Sequence, residues 1–140
     1  MALSQVRSAA LRSRIRYEYE AMHALEREGW TVTRSAGSHG PVDLIAMNAV
    51  HVMLIQVKSA ADVASSATLS VLVDAVEALR TVPAPPGAVS RWLFLRAVPG
   101  PWLRQCVDQY PTSRPDLRCA LARTINRWRD GKHASRSEEI

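Results

Sequence analysis

Apolar and polar residues alternate along this chain in blocks whose periods name their elements. Ile15, Met22 and Leu25 recur at helical spacing, which predicts a helix over residues 3–28 that Gly29 ends. Trp30 to Arg34 is a short run of β-formers, and Ser35 to Pro41 is a loop by composition. Val42–Met47 and His51–Lys58 are two apolar-rich strands with a tight turn near Asn48, hence a hairpin. After a small, polar surface loop over 59–67, Leu69, Leu72, Val73, Val76 and Leu79 form one face of a second helix. Thr68 or Ser70 is its expected cap, Arg80 its expected end, and Pro83–Gly87 breaks it. Arg91 to Val98 is apolar on both faces, as a covered strand is, and Pro99–Pro101 closes it. Residues 102–110 are expected to form a helical turn or more. Leu117, Leu121, Ile125 and Trp128 mark a last helix over Asp116–Arg129. The order α-β-β-β-α-β-α predicts an α/β fold, a mixed sheet flanked by helices. We expect one domain over 1–130 and a polar, disordered tail over 131–140.

Polar residues that break these patterns are the candidates for chemistry. Asp43 opens the first hairpin strand and Gln56 and Lys58 close the second. A turn centred between Ala49 and Val50 sets Asp43 opposite Gln56, with Lys58 on the same side as Gln56. An acid, an amide and an ammonium then share one end of the hairpin. Charges in such strands are costly unless paired, exposed or used. Glu18 falls on the helix stripe, because 15, 18, 22 and 25 form an i, i+3, i+7, i+10 series, whereas Glu20 lies about 200° around. Taken alone, Glu18 reads as a rim residue paired with Arg14, an ordinary i, i+4 ion pair. The glycines and serines of loop 35–41 suit either a plain connector or a backbone approached by phosphate.

Composition narrows the picture modestly. With 47% hydrophobic and 22% charged residues, the 140-residue chain has the make-up of a soluble globular domain. A formal charge of +5 and a pI near 9.9 permit a polyanionic partner without requiring one. No stretch approaches the roughly 20 apolar residues that span a bilayer, so a membrane role is not expected. The arginines at 7, 12, 14 and 16 precede no apolar run of the signal-peptide type, and Cys106 and Cys119 form no CxxC pair. The expected setting is reducing and cytoplasmic, or the host-cell cytoplasm for a phage-encoded chain. His23, His39, His51 and His133 show no metal-ligand spacing.

Joined together, the motifs resemble the PD-(D/E)xK nuclease superfamily, and within it the archaeal-type Holliday junction resolvases with their bacterial and phage relatives. The resemblance spans about residues 14–98. Tyr17-Glu18-Tyr19, Glu28-Gly29-Trp30, Arg34 to Ser38, Val42 to Ala46 and Ile55-Gln56-Val57-Lys58 carry it. It implies that Asp43 is the central metal ligand, that Gln56 holds the second acidic position and that Lys58 is the catalytic lysine. The helix glutamate eleven residues before the terminating glycine is Glu18, with Glu20 as the fallback. Arg34 matches a basic residue near the site and Ser38 a polar one in a DNA-facing loop; His39 beside it is assigned to DNA as well. The implied cofactor is Mg²⁺, with Mn²⁺ as a substitute, held by Asp43, Gln56, the Val57 carbonyl and Glu18. The implied substrate is a four-way DNA junction, cut symmetrically by a homodimer. The helix over 70–80, the strand over 91–98 and the C-terminal segment are the candidate dimer surfaces. Arg7, Arg12, Arg14, Arg16, Arg34 and Lys58 would neutralise phosphates. Two departures stand out. Gln56 brings no charge where many relatives have glutamate, and proline stands two residues before Asp43 instead of one. The alternatives are a related endonuclease acting on duplex or flap DNA, and an inactive DNA-binding subunit.

Overall fold

The computed structural model describes residues 2–35, 40–98 and 100–131. The expected tail from 132 onward and the loop positions Ser38 and His39 lie outside them.

The chain opens with helix α1 (Ala2–Arg27). Gly29 ends it at φ +96°, a conformation favouring glycine. The Trp30 N–H donates to the Leu25 carbonyl and the Gly29 N–H to that of Glu26, a closed C-terminal motif that satisfies two orphan carbonyls. The buried stripe of α1 is Tyr17, Glu18, Ala21 and Leu25, while Ile15 and Met22 are half-buried. Small Ala21 carries no periodic signal, so the true centre of the stripe lies about one residue before Met22.

Strands β1 (Thr31–Arg34), β2 (Leu44–Met47) and β3 (Val52–Ala60) form an antiparallel meander. The pairs Met47↔Val52 and Leu44↔Ile55 centre the turn between Ala49 and Val50, as the pattern predicts. Asn48 shapes that turn by accepting the N–H groups of Val50 and His51 on its side-chain oxygen. Helix α2 (Ser66–Arg80) then carries the chain back to β4 (Val89–Ala97), which lies parallel to β3. The α2 cap is Ser65, whose side chain accepts the Thr68 N–H, and not Thr68 or Ser70.

Residues 102–110 depart from expectation. Trp102–Cys106 is a fifth strand, β5, antiparallel to β4, instead of a helical turn. β4 offers a free edge that β5 covers, with Leu103 buried in the core. Helix α3 (Arg114–Arg129), capped by Ser113, completes the chain. The sheet order is β1-β2-β3-β4-β5, flanked by helices on both faces.

Two cores result. On the α1 face, Tyr17, Ala21 and Leu25 pack with Leu44, Ala46, Met53, Ile55, Val57, Trp92 and Phe94. On the other, Leu54, Leu93, Leu95 and Leu103 meet Val73, Val76 and Leu79 of α2 and Leu117, Leu121, Ile125 and Trp128 of α3. With β4 covered on both faces and paired on both edges, the strand over 91–98 is interior and is withdrawn as a dimer surface. No helix of the described residues is long and apolar enough to cross a membrane.

Arginines lock the end of the sheet remote from Asp43. Arg80 donates to the carbonyls of Val107, Tyr110 and Pro111, and Arg91 pairs with Asp108 at 2.7 Å while donating to the carbonyls of Arg80 and Val82. Burial and the neighbouring Arg91 charge lower the Arg80 pKa, so the guanidinium is held by its acceptors against a real cost. Arg80→Ala strands three carbonyls, and we expect about 2–4 kcal/mol of lost stability in urea unfolding. A loss below about 0.5 kcal/mol would show that water replaces the side chain.

Candidate active site

The end of β1 and the start of β2 lie level with Ile55 of β3, Trp92 of β4 and the end of β5 at Cys106, and the carboxyl halves of β3 and β4 run on past them. Asp43 sits immediately before β2 at this level. Its N–H donates to the Ile55 carbonyl, although Ile55 is already registered against Leu44. Two residues thus face one across the ladder, a bulge-like offset that re-aims a side chain. The Asp43 carboxylate takes the place of a ladder acceptor, receiving the Val57 N–H on Oδ2 at 2.8 Å. The Asp43 carbonyl accepts the Ser35 N–H, tying the same residue to the chain leaving β1.

This offset lets Asp43 meet α1. A cavity at the sheet end is lined by Leu11, Arg14, Ile15 and Glu18 of α1 with Arg34, Ser35 and Asp43. Glu18 is 4% exposed, a buried charge at the centre of the wall. Arg34 donates to Glu18 Oε1 at 3.4 Å, and Arg14 stands 3.9 Å from Oε2. Both readings of Glu18 therefore hold together, the ion pair with Arg14 and the inward-facing acid. The Arg34 guanidinium also lies over the Tyr19 ring, 4.7 Å from its centroid, which fixes the plane of the fork. Glu20 points elsewhere, to Arg96 at 3.2 Å and the Trp102 Nε1–H at 3.0 Å.

Lys58 is half-buried and near enough for its charge to act on Asp43. Gln56 is buried but does not line the cavity with Glu18 and Asp43. Strand alternation puts Gln56 and Lys58 on the Leu54 face, next to Leu93 and Leu95 of β4, so they reach the sheet end from the side opposite α1. Arg16 is exposed and stacks on Tyr17 at 5.1 Å. The structure thus gathers Glu18, Asp43, Arg14 and Arg34 in one cavity and sets Lys58 within electrostatic reach, while Gln56 stands next to Asp43 along the β2–β3 ladder but outside the lining of that cavity. Leu11 is not singled out by the sequence, Ile15 is read there only as part of the apolar stripe, and Tyr19 and Ser35 enter only as members of longer motifs. For Tyr19 the signal was its position beside Glu18 with an arginine in the next element, a pairing visible only once β1 is docked on α1.

Both acids are pushed above the usual carboxylate range. For Glu18 the causes are burial and then the Asp43 charge, opposed by Arg34 and Arg14. For Asp43 the cause is burial, opposed by the Val57 N–H, Lys58 and Arg14. Two acids raised by burial, one of them also by the charge of the other, mark this cavity as a candidate functional site. Among the described residues no three His, Cys, Asp or Glu side chains converge, so any cation here relies on two carboxylates plus neutral oxygens.

A protein-family model described as archaeal Holliday junction resolvase matches residues 12–85. A search of curated proteins gives no match. Among solved structures, the chain is similar to Archaeoglobus fulgidus Hjc, described as a Holliday junction resolvase from an archaeal hyperthermophile. The TM-score is 0.54 at 24% identity, over 72% of this chain and 78% of that one, a likeness of fold.

A raised carboxyl pKa stabilises the fold only below the ordinary range, where the group is protonated in both states; the contribution disappears as pH rises through the raised value. Asp43→Asn keeps an acceptor for Val57 and removes the charge. Without divalent ions, its Tm at pH 7.5 should exceed the parent's by about 2–4 °C, a difference that shrinks towards pH 4 and below. A lower Tm at pH 7.5 would show that the charge stabilises the fold instead.

Proposed function

The chain belongs to the archaeal Holliday junction resolvase family, and from that membership we propose a metal-dependent endodeoxyribonuclease that cuts four-way DNA junctions symmetrically. The observation that supports this reading is the convergence of Glu18 and Asp43 on one cavity beneath Arg14 and Arg34, with the Lys58 charge acting on Asp43.

The donor chemistry suits a hard divalent cation, Mg²⁺ or in its place Mn²⁺. Asp43 and Glu18 would hold it, with the Val57 carbonyl and the Gln56 amide oxygen as the further donors. When bound, such an ion polarises the phosphate and makes water nucleophilic near neutral pH. The protein's own groups supply the rest. Lys58, as an ammonium, positions the attacking water and offsets charge growing on the phosphorane-like transition state. Arg34 fixes the orientation of Glu18 through their hydrogen bond. Arg14 and Arg16, exposed on α1, neutralise phosphates of the bound arms, as Ser38 and His39 of the adjoining loop are expected to do. Such contacts read the shape of a junction more than its sequence. Two cuts related by symmetry call for two copies about a two-fold axis, hence a homodimer.

We expect the protein to cut a mobile four-way junction in Mg²⁺ at symmetric positions and to prefer it over linear duplex, flap and single strand. Asp43→Ala and Lys58→Ala should each lower the rate about 10²–10³-fold while junction binding persists. Binding without cleavage by the parent would identify a DNA-binding subunit, and a preference for plain duplex would reject the resolvase reading.

Gln56 gives a sharper check on the donor set. Gln56→Glu adds a carboxylate where the amide stands, so the Mg²⁺ concentration for half-maximal cleavage should fall several-fold. An unchanged requirement would remove position 56 from the ligand set.

A further inference from the structure

Tyr19 stands in α1 where no core asks for an aromatic ring. It is 41% exposed and belongs to neither core cluster. It follows Glu18, and the helical step turns it about 100° away from that acid around α1. What it touches is Arg34, the last residue of β1, whose guanidinium carbon lies 4.7 Å from the ring centroid. One turn on, the His23 ring stacks on it at 6.1 Å and itself pairs with Glu26 at 3.0 Å, so the Tyr19 ring is braced along the helix.

This contact bears on the cavity through Glu18. Of the two arginines at that acid, Arg14 is exposed and 3.9 Å away, whereas Arg34 is mostly covered and donates at 3.4 Å. An exposed pair as long as the first orients a carboxylate weakly. Arg34 is thus the partner that aims Glu18. Yet 3.4 Å is long for a charge-assisted bond, and a long side chain held at one atom keeps much of its rotamer freedom. Strand β1 adds little restraint, being four residues at the edge of the sheet. Tyr19 supplies the second hold. Burial lowers the Arg34 pKa, and the Tyr19 side chain and then Glu18 raise it by more, so two neighbours on one helix grip the same cation. The acid fixes one nitrogen of the guanidinium, and the ring fixes its plane.

We propose that Tyr19 is a positioning residue: the face of its ring holds the Arg34 guanidinium in the plane from which Nη1 reaches Glu18, and so keeps that carboxylate turned into the cavity it shares with Asp43. This rests on the reading of the cavity as a nuclease site. Tyr19 does not line the cavity, so it acts through Arg34 and not on the substrate. Loss of the ring therefore slows the chemical step and leaves junction affinity in place.

The test compares the full chain with two variants. Tyr19→Phe keeps the ring face and loses the phenol oxygen; Tyr19→Leu keeps apolar bulk and helix propensity and loses the ring. Without divalent ions, the Arg34 Nε–H resonance is identified by its absence from an Arg34→Lys variant. A proton over an aromatic face is shielded, so this resonance should lie upfield of those of exposed arginines in the parent and in Tyr19→Phe. In Tyr19→Leu it should move downfield into their range. In Mg²⁺, cleavage of a four-way junction by Tyr19→Leu should show kcat lower by about tenfold or more, with KM within about threefold of the parent's. Tyr19→Phe should keep most of the rate. A merely structural stack would lower Tm and leave kcat at the parent value. A parent-like kcat in Tyr19→Leu, or an Arg34 resonance that stays in place there, overturns the proposal. An equal loss in both variants does too, since the phenol and not the ring would then be at work. If the parent cuts duplex in preference to junctions, the resolvase reading fails while the same variants on duplex decide the role of Tyr19; if it cuts no DNA, the nuclease reading and the positioning role fall together.

Discussion

The hydrogen bond from the Val57 N–H to the Asp43 carboxylate is the constraint on which the site depends. A regular ladder carried one residue further would send Asp43 to the Ile45 side of β2, away from α1. Instead the side chain replaces a backbone acceptor, and the strand end turns so that the carboxylate enters the cavity walled by Glu18. One side-chain oxygen thereby satisfies a strand N–H and sets the distance between two acids. Burial makes this arrangement unfavourable by itself, since each acid is pushed up by desolvation and Glu18 further by its neighbour. The fold tolerates it because Arg14 and Arg34 supply partial neutralisation from two different elements.

Arg34 shows how finely that neutralisation is set. At 3.4 Å from Glu18 and stacked over Tyr19, it is held by an acid on one side and a ring on the other. A lysine would match the charge but neither the plane nor the stack. The pairing is also incomplete, because Asp43 shares the cavity with no ion-pair partner among the described residues. The cost of that incomplete pairing falls on the stability of the fold.

Much of this was legible in the sequence because the periods were strong. The hairpin register followed from the two apolar runs and a turn that Asn48 closes, and Glu18 was separated from Glu20 by helix geometry alone. What was missed has physical causes. β5 is five residues bounded by Pro101 and a loop, too short for periodicity to distinguish a strand from a turn. The Ser65 cap was passed over because Thr68 and Ser70 are equally good capping types, and only the path of the chain out of β3 selects between them. The bulge at Asp43 has no local signal, since it arises from competition between a side-chain and a main-chain acceptor for one N–H. The register still sets Asp43 beside the Gln56–Val57 step, and the cavity around Asp43 adds Arg34 and Ser35 to it.

The two layers on either side of the sheet meet different demands. The α1 layer buries a charge and leaves arginines half-committed around it, so its packing is shaped by the site. The α2–α3 layer is conventional: leucines and valines between helix and sheet, with Arg80 and Arg91 closing the far end on backbone carbonyls. That division explains how Glu18 can stay buried. The rigidity that an unfavourable carboxylate requires comes from the β3–β4 pair, whose nine parallel partners run from Val52↔Val89 to Ala60↔Ala97. Val57 lies within this pair, so the donor that fixes Asp43 is itself fixed by the best-supported strand in the molecule. A weaker strand would let Asp43 return to the regular ladder, and the two acids would separate.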